Sequence, residues 1–271
     1  MLDKIIIFFS GSIVGSFLNV VIHRLPLEQS VVFPASHCPK CGKPIPWYDN
    51  IPLLSYLFLK ARCRLCKEPI AFRYFLVELV TALFFLAFYE IYGLGFNFAL
   101  SITLVSGLIA ATFIDIQHRI IPDEISIGGI AVGFIFRLAG GFSAGAHGFS
   151  FLPALDSLLG ILAGGGIIYL TGVIFDLVYF KLLKNPPIQG ETESMGGGDV
   201  KLLAMIGAFL GWKCAVLTFF IAPFFGAAVG LVNLLIKKDH TIPYGPFLSF
   251  AAVICMFWSD KLIALFFFNM Y

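Results

Sequence analysis

The sequence predicts an all-α, polytopic membrane protein with about eight transmembrane helices and one sizeable loop outside the bilayer. Three observations predict it. Of the 271 residues, 59% are hydrophobic and only 13% charged, against roughly 25% charged in a soluble domain. Apolar runs of about 20 residues, the length a bilayer core demands of a helix, recur along most of the chain. These runs are continuous rather than alternating, which favours helices over a closed barrel of strands. The mean hydropathy of +0.94 agrees. The net charge of +2 decides little, because in a membrane protein the placement of charge outweighs its sum.

The first run, 5–22, lies in MLDKIIIFFSGSIVGSFLNVVIHRLP. An acidic residue precedes the long apolar stretch, which ends in His23-Arg24 and not at a small-residue cleavage site. It therefore reads as a retained span and not as a cleavable signal. Further spans follow at 72–92, 97–115, 124–140 and 152–180, then a short one at 199–210 after a glycine run, then 213–236 and 245–268. Between them lie a large loop at 23–72, the stretch GFSAGAHGFSF at 141–151 and the Pro- and Gly-rich stretch KNPPIQGETESMGGG at 184–198, where turns are expected. No internal repeat is visible. The corresponding division is 1–22 as first helix, 23–72 as loop and 73–271 as a membrane-embedded domain.

Orientation follows from Lys and Arg. If eight spans alternate, 14 of the 18 cations fall on one side, eight of them in 23–73, and only Lys4, Arg137, Lys213 and Lys261 on the other. The cation-rich side is then cytoplasmic and both termini face outward.

The loop carries Cys38-Pro-Lys-Cys41 and Cys63-Arg-Leu-Cys66, separated by 21 residues. Two such knuckles can offer four thiolates to one tetrahedral zinc. A cytoplasmic position argues against structural disulfides; two unconnected knuckles or a redox pair are the alternatives. Zinc would let about 50 residues fold with little core of their own. Cys214 and Cys255 stand alone in apolar spans and read as small buried hydrophobes.

Most acidic residues belong in water or headgroups. Asp123 follows Pro122 and opens a span, which suits helix capping. Glu78 and Asp176 lie inside apolar runs, where an ionisable group suggests function or pairing with Arg73 or Lys181. Asp115 and Asp199 share a further property: each ends or begins an apolar run on the cation-rich side, so topology sets both at one depth. Gly196, Gly197 and Gly198 directly precede Asp199, allowing unusual backbone and close approach of a substrate strand. Two carboxyls sharing a site resist double ionisation, so one can hold a proton while the other activates water. Taken singly, Asp199 also suits a helix N-cap and Asp115 an interfacial anchor. Spacing does not bring them together. In the first span, Ser12, Ser16, Asn19 and His23 recur at near-helical spacing and suit helix packing or a hydrated seam.

The segments GSFLNVVIHRLP (15–26), CPKCGKPIPWYDNIPLLSYL (38–57), CRLCKEPIAFRYFLVE (63–78), IDIQHRIIPDEIS (114–126), MGGGDVKLLAMIGAFLGW (195–212) and IPYGPFLS (242–249) resemble, in order across nearly the whole chain, the pattern of the type IV prepilin peptidases. That resemblance implies GxGD aspartyl proteases of the bacterial inner membrane, with Asp115 and Asp199 as the catalytic pair. It implies cleavage of the basic leader of type IV prepilins or pseudopilins after a glycine, at the cytoplasmic face, in the service of pili or type II secretion. It also implies N-methylation of the new N-terminus with S-adenosylmethionine as donor, and zinc on Cys38, Cys41, Cys63 and Cys66 in a loop tied to that second activity. The chain departs from the pattern at Ala61-Arg62, where Gly-Lys or Gly-Arg is common, and in a longer segment between the two aspartates.

On this basis a substrate strand would unwind beside Gly196–Gly198, and Glu191 and Glu193 would attract the basic leader or serve only as exposed loop acids. Membrane lipid is the remaining partner; no feature points to nucleic acid, and none reports the oligomeric state. The rival from another class is a transporter using Asp115 and Asp199 as proton or cation relays. Against it, a carrier site lies near the bilayer midplane.

Overall fold

The computed structural model of the chain describes residues 1–144, 150–183, 196–236 and 243–266. Among these residues the regular structure is helical, without strands. Seven helices are long and apolar enough to cross a membrane: α1 (Leu2–Arg24), α3 (Phe72–Tyr92), α4 (Phe96–His118), α5 (Asp123–Ala144), α6 (Leu152–Asp176), α8 (Trp212–Ile236) and α9 (Gly245–Phe266). The protein is a multi-pass membrane protein. Two shorter helices complete the set, α2 (Leu54–Phe58) in the loop and α7 (Gly197–Leu210). Each expected span lies on one of these helices, and the short sixth is α7. Glu191 and Glu193, most of the 184–198 stretch and much of the 141–151 stretch lie outside the described residues.

The chain divides into two compact units, 1–114 and 115–271. In the first, α1 and α3 run antiparallel. Lys4 pairs with Glu90 at 2.6 Å, and the Tyr89 hydroxyl donates to Asp3 at 2.8 Å. At the other end the Asn19 amide donates to the Tyr74 carbonyl at 2.9 Å. Glycines let the two backbones touch between these points: a Cβ on Gly11 would lie 2.8 Å from the Ala82 Cα, and one on Gly15 would lie 2.7 Å from the Glu78 Cα. Small residues at such crossings are how helices associate where lipid supplies no hydrophobic driving force.

The second unit is arranged around α7. Every residue from Leu202 to Phe209 is buried, as expected of a helix that is apolar on all sides and enclosed by others. At 14 residues it is about 21 Å long, short of a hydrocarbon core of about 30 Å. It runs parallel to α5, whose Gly129 and Gly133 receive the Met205 and Phe209 side chains. It runs antiparallel to α6: Gly160 meets Gly207 backbone to backbone, and a Cβ on Gly164 would strike the Leu203 carbonyl. The Ser157 hydroxyl donates to the Ala208 carbonyl at 2.7 Å. Arg137 donates from Nε to the Phe209 carbonyl at 2.8 Å and pairs with Asp156 at 3.3 Å. These donors satisfy C-terminal carbonyls that have no partner within a helix. Cys214 and Cys255 pack in one apolar cluster with Leu217, consistent with their reading as small hydrophobes.

The glycine seats yield a stability test. Gly160→Ala drives a methyl into the Gly207 backbone, an overpacking that costs on the order of 1–3 kcal/mol, whereas Gly166 has open space at its Cβ position. Thermal unfolding of the purified protein in detergent should show a clear loss for Gly160→Ala and little change, or a small gain, for Gly166→Ala.

Candidate functional site

Asp115 lies in the last turn of α4, and Arg119, in the left-handed region at φ 57°, closes that helix by donating its amide to the Asp115 carbonyl at 2.9 Å. The chain then passes through Ile120-Ile121-Pro122 into α5. Asp199 lies in the first turn of α7, where its amide donates to the Gly196 carbonyl at 3.1 Å. A third segment, Tyr244-Gly245, begins α9.

These three segments converge on Ile121. A Cβ on Gly198 would lie 3.1 Å from the Ile121 Cβ, and one on Gly245 would lie 3.2 Å from its Cδ1. The Gly245 amide donates to Asp115 Oδ2 at 2.9 Å, and any side chain there would press on that same oxygen, at 2.7 Å. Gly245 is therefore required for the approach of backbone to carboxylate. Asp115 is buried, at 6% exposure, and Asp199 is half-buried. Their carboxyls lie close enough for their charges to interact, and the Tyr244 phenol lies within electrostatic reach of Asp199. At the rim, Lys201 of α7 pairs with Asp123 of α5 at 2.6 Å, which ties the starts of the two helices together. Asp123 opens α5 as its first residue, and its carboxylate is engaged in this pair in place of the capping role expected of it.

The aspartates that sequence could only set at one depth thus share one place in the second unit. Gly196 and Gly197 are exposed. A Cβ on Gly196 would lie 3.5 Å from Asp199 Oδ2, and Gly197 has open space at its Cβ position. An uncovered strip of backbone therefore runs up to one carboxyl. Ile121, Tyr244 and Gly245 had no role assigned from sequence. The available signal was a Tyr-Gly-Pro at the head of an apolar run, a glycine where a helix start needs none.

The four loop cysteines also meet. The sulfurs of Cys38, Cys41, Cys63 and Cys66 all lie within 4.8 Å of one another, and Cys38 Sγ is 3.8 Å from Cys66 Sγ. A tetrahedral ion with zinc–sulfur bonds of about 2.3 Å places its ligands about 3.8 Å apart, so the donor set fits zinc in identity, number and spacing. The two knuckles are built alike. In each, the first cysteine amide donates across the turn, Cys38 to the Lys43 carbonyl at 3.0 Å and Cys63 to the Glu68 carbonyl at 2.8 Å. In each, the residue after the second cysteine is left-handed, Gly42 at φ 68° and Lys67 at φ 61°. HCPKCGKPI (37–45) and RCRLCKEPI (62–70) are one short repeat, contrary to the expectation of none. Amides of Cys66 and Leu65 directed at the Cys63 sulfur hold that thiol down at about 7, which favours the thiolate a metal needs. Arg64 grips Asp49 through two bonds of 2.6 Å.

Residues 9–92 match the bacterial peptidase A24 N-terminal domain, and residues 102–231 match the type IV leader peptidase family. A protein of Aeromonas hydrophila is 35% identical over 285 residues, covering 95% of this chain and 91% of its own. The chain belongs to the type IV leader peptidase family. Its membership makes it an enzyme. The Aeromonas protein is named prepilin leader peptidase/N-methyltransferase. The same name is carried by a protein of Pseudomonas aeruginosa, 35% identical over 281 residues (93% of this chain, 89% of that one). It is also carried by one of Myxococcus xanthus, 40% identical over 234 residues, 86% of this chain but only 64% of that longer protein. No solved structure matches the chain.

Metal content gives a direct check on the cysteine cluster. The purified protein should carry one zinc per chain by elemental mass spectrometry, and Cys63→Ser should lose it, whereas Cys214→Ser should keep it.

Proposed function

We propose that the chain is a prepilin leader peptidase and N-methyltransferase in which Asp115 and Asp199 act as an aspartyl dyad. The observation that carries this reading is the convergence of the two carboxyls beside an uncovered glycine strip, in a chain of the leader peptidase family. A water held between the carboxyls would be deprotonated by the ionised member while the protonated one donates to the scissile carbonyl oxygen. The resulting gem-diol then collapses: the C–N bond breaks, the first carboxyl returns its proton to the departing amine, and the second regains its proton from the hydroxyl that becomes the new carbonyl. The Gly245 amide fixes Asp115 through Oδ2, which leaves its other oxygen for this exchange. Gly196–Gly198 would accept the unwound backbone of the cleavage site, with the amides of Gly197 and Gly198 at the start of α7 as polar partners.

The substrates would be type IV prepilins or pseudopilins, cut after the glycine that ends the basic leader. The cation distribution supports an orientation in the bacterial inner membrane with both termini outside and the dyad at the cytoplasmic face. The loop 23–72 would serve the second activity, with 73–271 holding the protease. Zinc on Cys38, Cys41, Cys63 and Cys66 would cross-link its two knuckles. S-adenosylmethionine would supply the methyl group, passed from its sulfonium to the free amine of the new N-terminus with loss of that amine's proton. Asp115 and Asp199 lie in end turns of their helices, away from the mid-helix position that a relay across the membrane would use.

The test is mass spectrometry of a prepilin incubated with purified protein and S-adenosylmethionine. Wild type should release the leader after glycine and add one methyl to the product. Asp115→Asn and Asp199→Asn should each lower cleavage by at least about a thousandfold, while both variants fold and keep their zinc. An intact substrate with wild type, across several pilins and pseudopilins, would refute the reading.

A further inference from the structure

We propose that Glu78 is the latch by which α3 holds the four-cysteine loop in register, and that methyl transfer depends on this latch where leader cleavage does not. The proposal rests on the two-activity reading above. Glu78 is a half-buried acid within an apolar helix, a position that is expensive unless the carboxyl is used. Its Oε2 accepts the Leu53 amide at 2.7 Å, and the Ser16 hydroxyl of α1 hydrogen-bonds to the same carboxyl. The contact of Gly15 on the Glu78 Cα brings the α1 backbone against this residue and so places Ser16 within reach.

Leu53 is one of the loop's points of attachment to α3, beside the packing of the Tyr56 ring on Phe75. Leu53 is buried and adopts φ 62° and ψ −49° immediately before α2, a positive-φ conformation that a branched side chain rarely takes without an outside constraint. As the cap residue of a short helix it has no acceptor for its amide within that helix, and Glu78 supplies one. From Leu53 the connection continues to the metal cluster through a series of hydrogen bonds. Ser55 accepts the Ile51 amide at 2.9 Å and donates to the Tyr48 carbonyl at 3.2 Å. Asp49, in the same turn, holds Arg64 by both oxygens, and Arg64 sits between Cys63 and Cys66. The carboxyl on α3 thereby joins the Tyr56–Phe75 contact in setting the position of the segment that carries the second knuckle, and among the described residues it alone satisfies the Leu53 amide.

A latch works through its acceptor oxygen and not through its charge. Glu78→Gln keeps an acceptor for the Leu53 amide, and Glu78→Leu removes it with little change of volume. The experiment measures cleavage and methylation of one prepilin in the same reaction, together with hydrogen exchange of the peptide containing Leu53 in the detergent-purified full chain. Glu78→Leu should cleave as wild type does, lose methylation by at least about tenfold and exchange the Leu53 amide faster. Glu78→Gln should stay close to wild type in all three. Proportional loss of both activities, unchanged exchange in Glu78→Leu, or a Glu78→Gln variant as impaired as Glu78→Leu would overturn the latch. A wild-type protein that leaves every prepilin intact would refute the parent reading, and the exchange data would still judge the contact between Glu78 and Leu53.

Discussion

The second unit depends on seating one short helix whose sides are all enclosed. α7 offers eight consecutive buried residues and no polar face, so its position cannot be set by amphipathic packing as in a surface helix. Backbone contact sets it instead. Gly160 against Gly207 and Gly164 against Leu203 fix how closely α6 approaches. Arg137 and Ser157 then grip the last carbonyls, which fixes α7 along its own axis. Asp199 sits at the opposite end of the same rigid rod. Its alignment with Asp115 is therefore set jointly by the local contacts of Gly198 with Ile121 and Lys201 with Asp123 and by donors about 15–20 Å away that never approach the reacting atoms. Interiors this tightly packed transmit such constraints because they have no slack to absorb them.

The spans were legible because hydropathy records burial in lipid directly, and most helix ends fall within a few residues of the apolar runs. α7 was visible as an element through the glycines and Asp199 at its start. Its enclosure was not visible, because it depends on Gly129, Gly133, Gly160 and Gly164, each an ordinary helical glycine until a partner from a distant segment lies against it. The same holds at the site. Asp115 and Asp199 stand out as acids at the ends of apolar runs. Ile121 and Gly245 matter only through contacts with segments more than seventy residues away along the chain, for which local sequence has no signal. The cysteine knuckles were legible from spacing alone, since two residues between ligands is the span that one metal-binding turn permits. That the flanking residues repeat as well, down to Pro44-Ile45 and Pro69-Ile70, follows from both turns solving one geometric problem. Glu78 announced itself as an acid in an apolar run. Its partners were not the cations nearest in sequence type but a backbone amide and a hydroxyl, which are invisible to charge patterning.

The distribution of chemistry over the chain follows the same division. The four thiols, with Glu78 and Leu53, belong to the first compact unit, and the two aspartates belong to the second. The matches to an N-terminal domain at 9–92 and to the leader peptidase family at 102–231 fall on either side of a similar boundary. Under the proposed function, each activity has its own scaffold. Cleavage draws on a buried rod and the helix ends around it. Methyl transfer draws on a loop that folds around a metal because about 50 residues with few buried side chains cannot build a core. Damage to one scaffold should then leave the other activity standing.

A double-mutant cycle on leader cleavage measures most directly whether Asp115 and Asp199 act as one catalytic unit. Residues that work together in a single step are strongly non-additive, because removing either already abolishes the step. Asp115→Asn, Asp199→Asn and the double variant should all fall to the same residual rate. Losses that multiply in the double variant, or one single variant that retains substantial cleavage, would contradict a shared dyad.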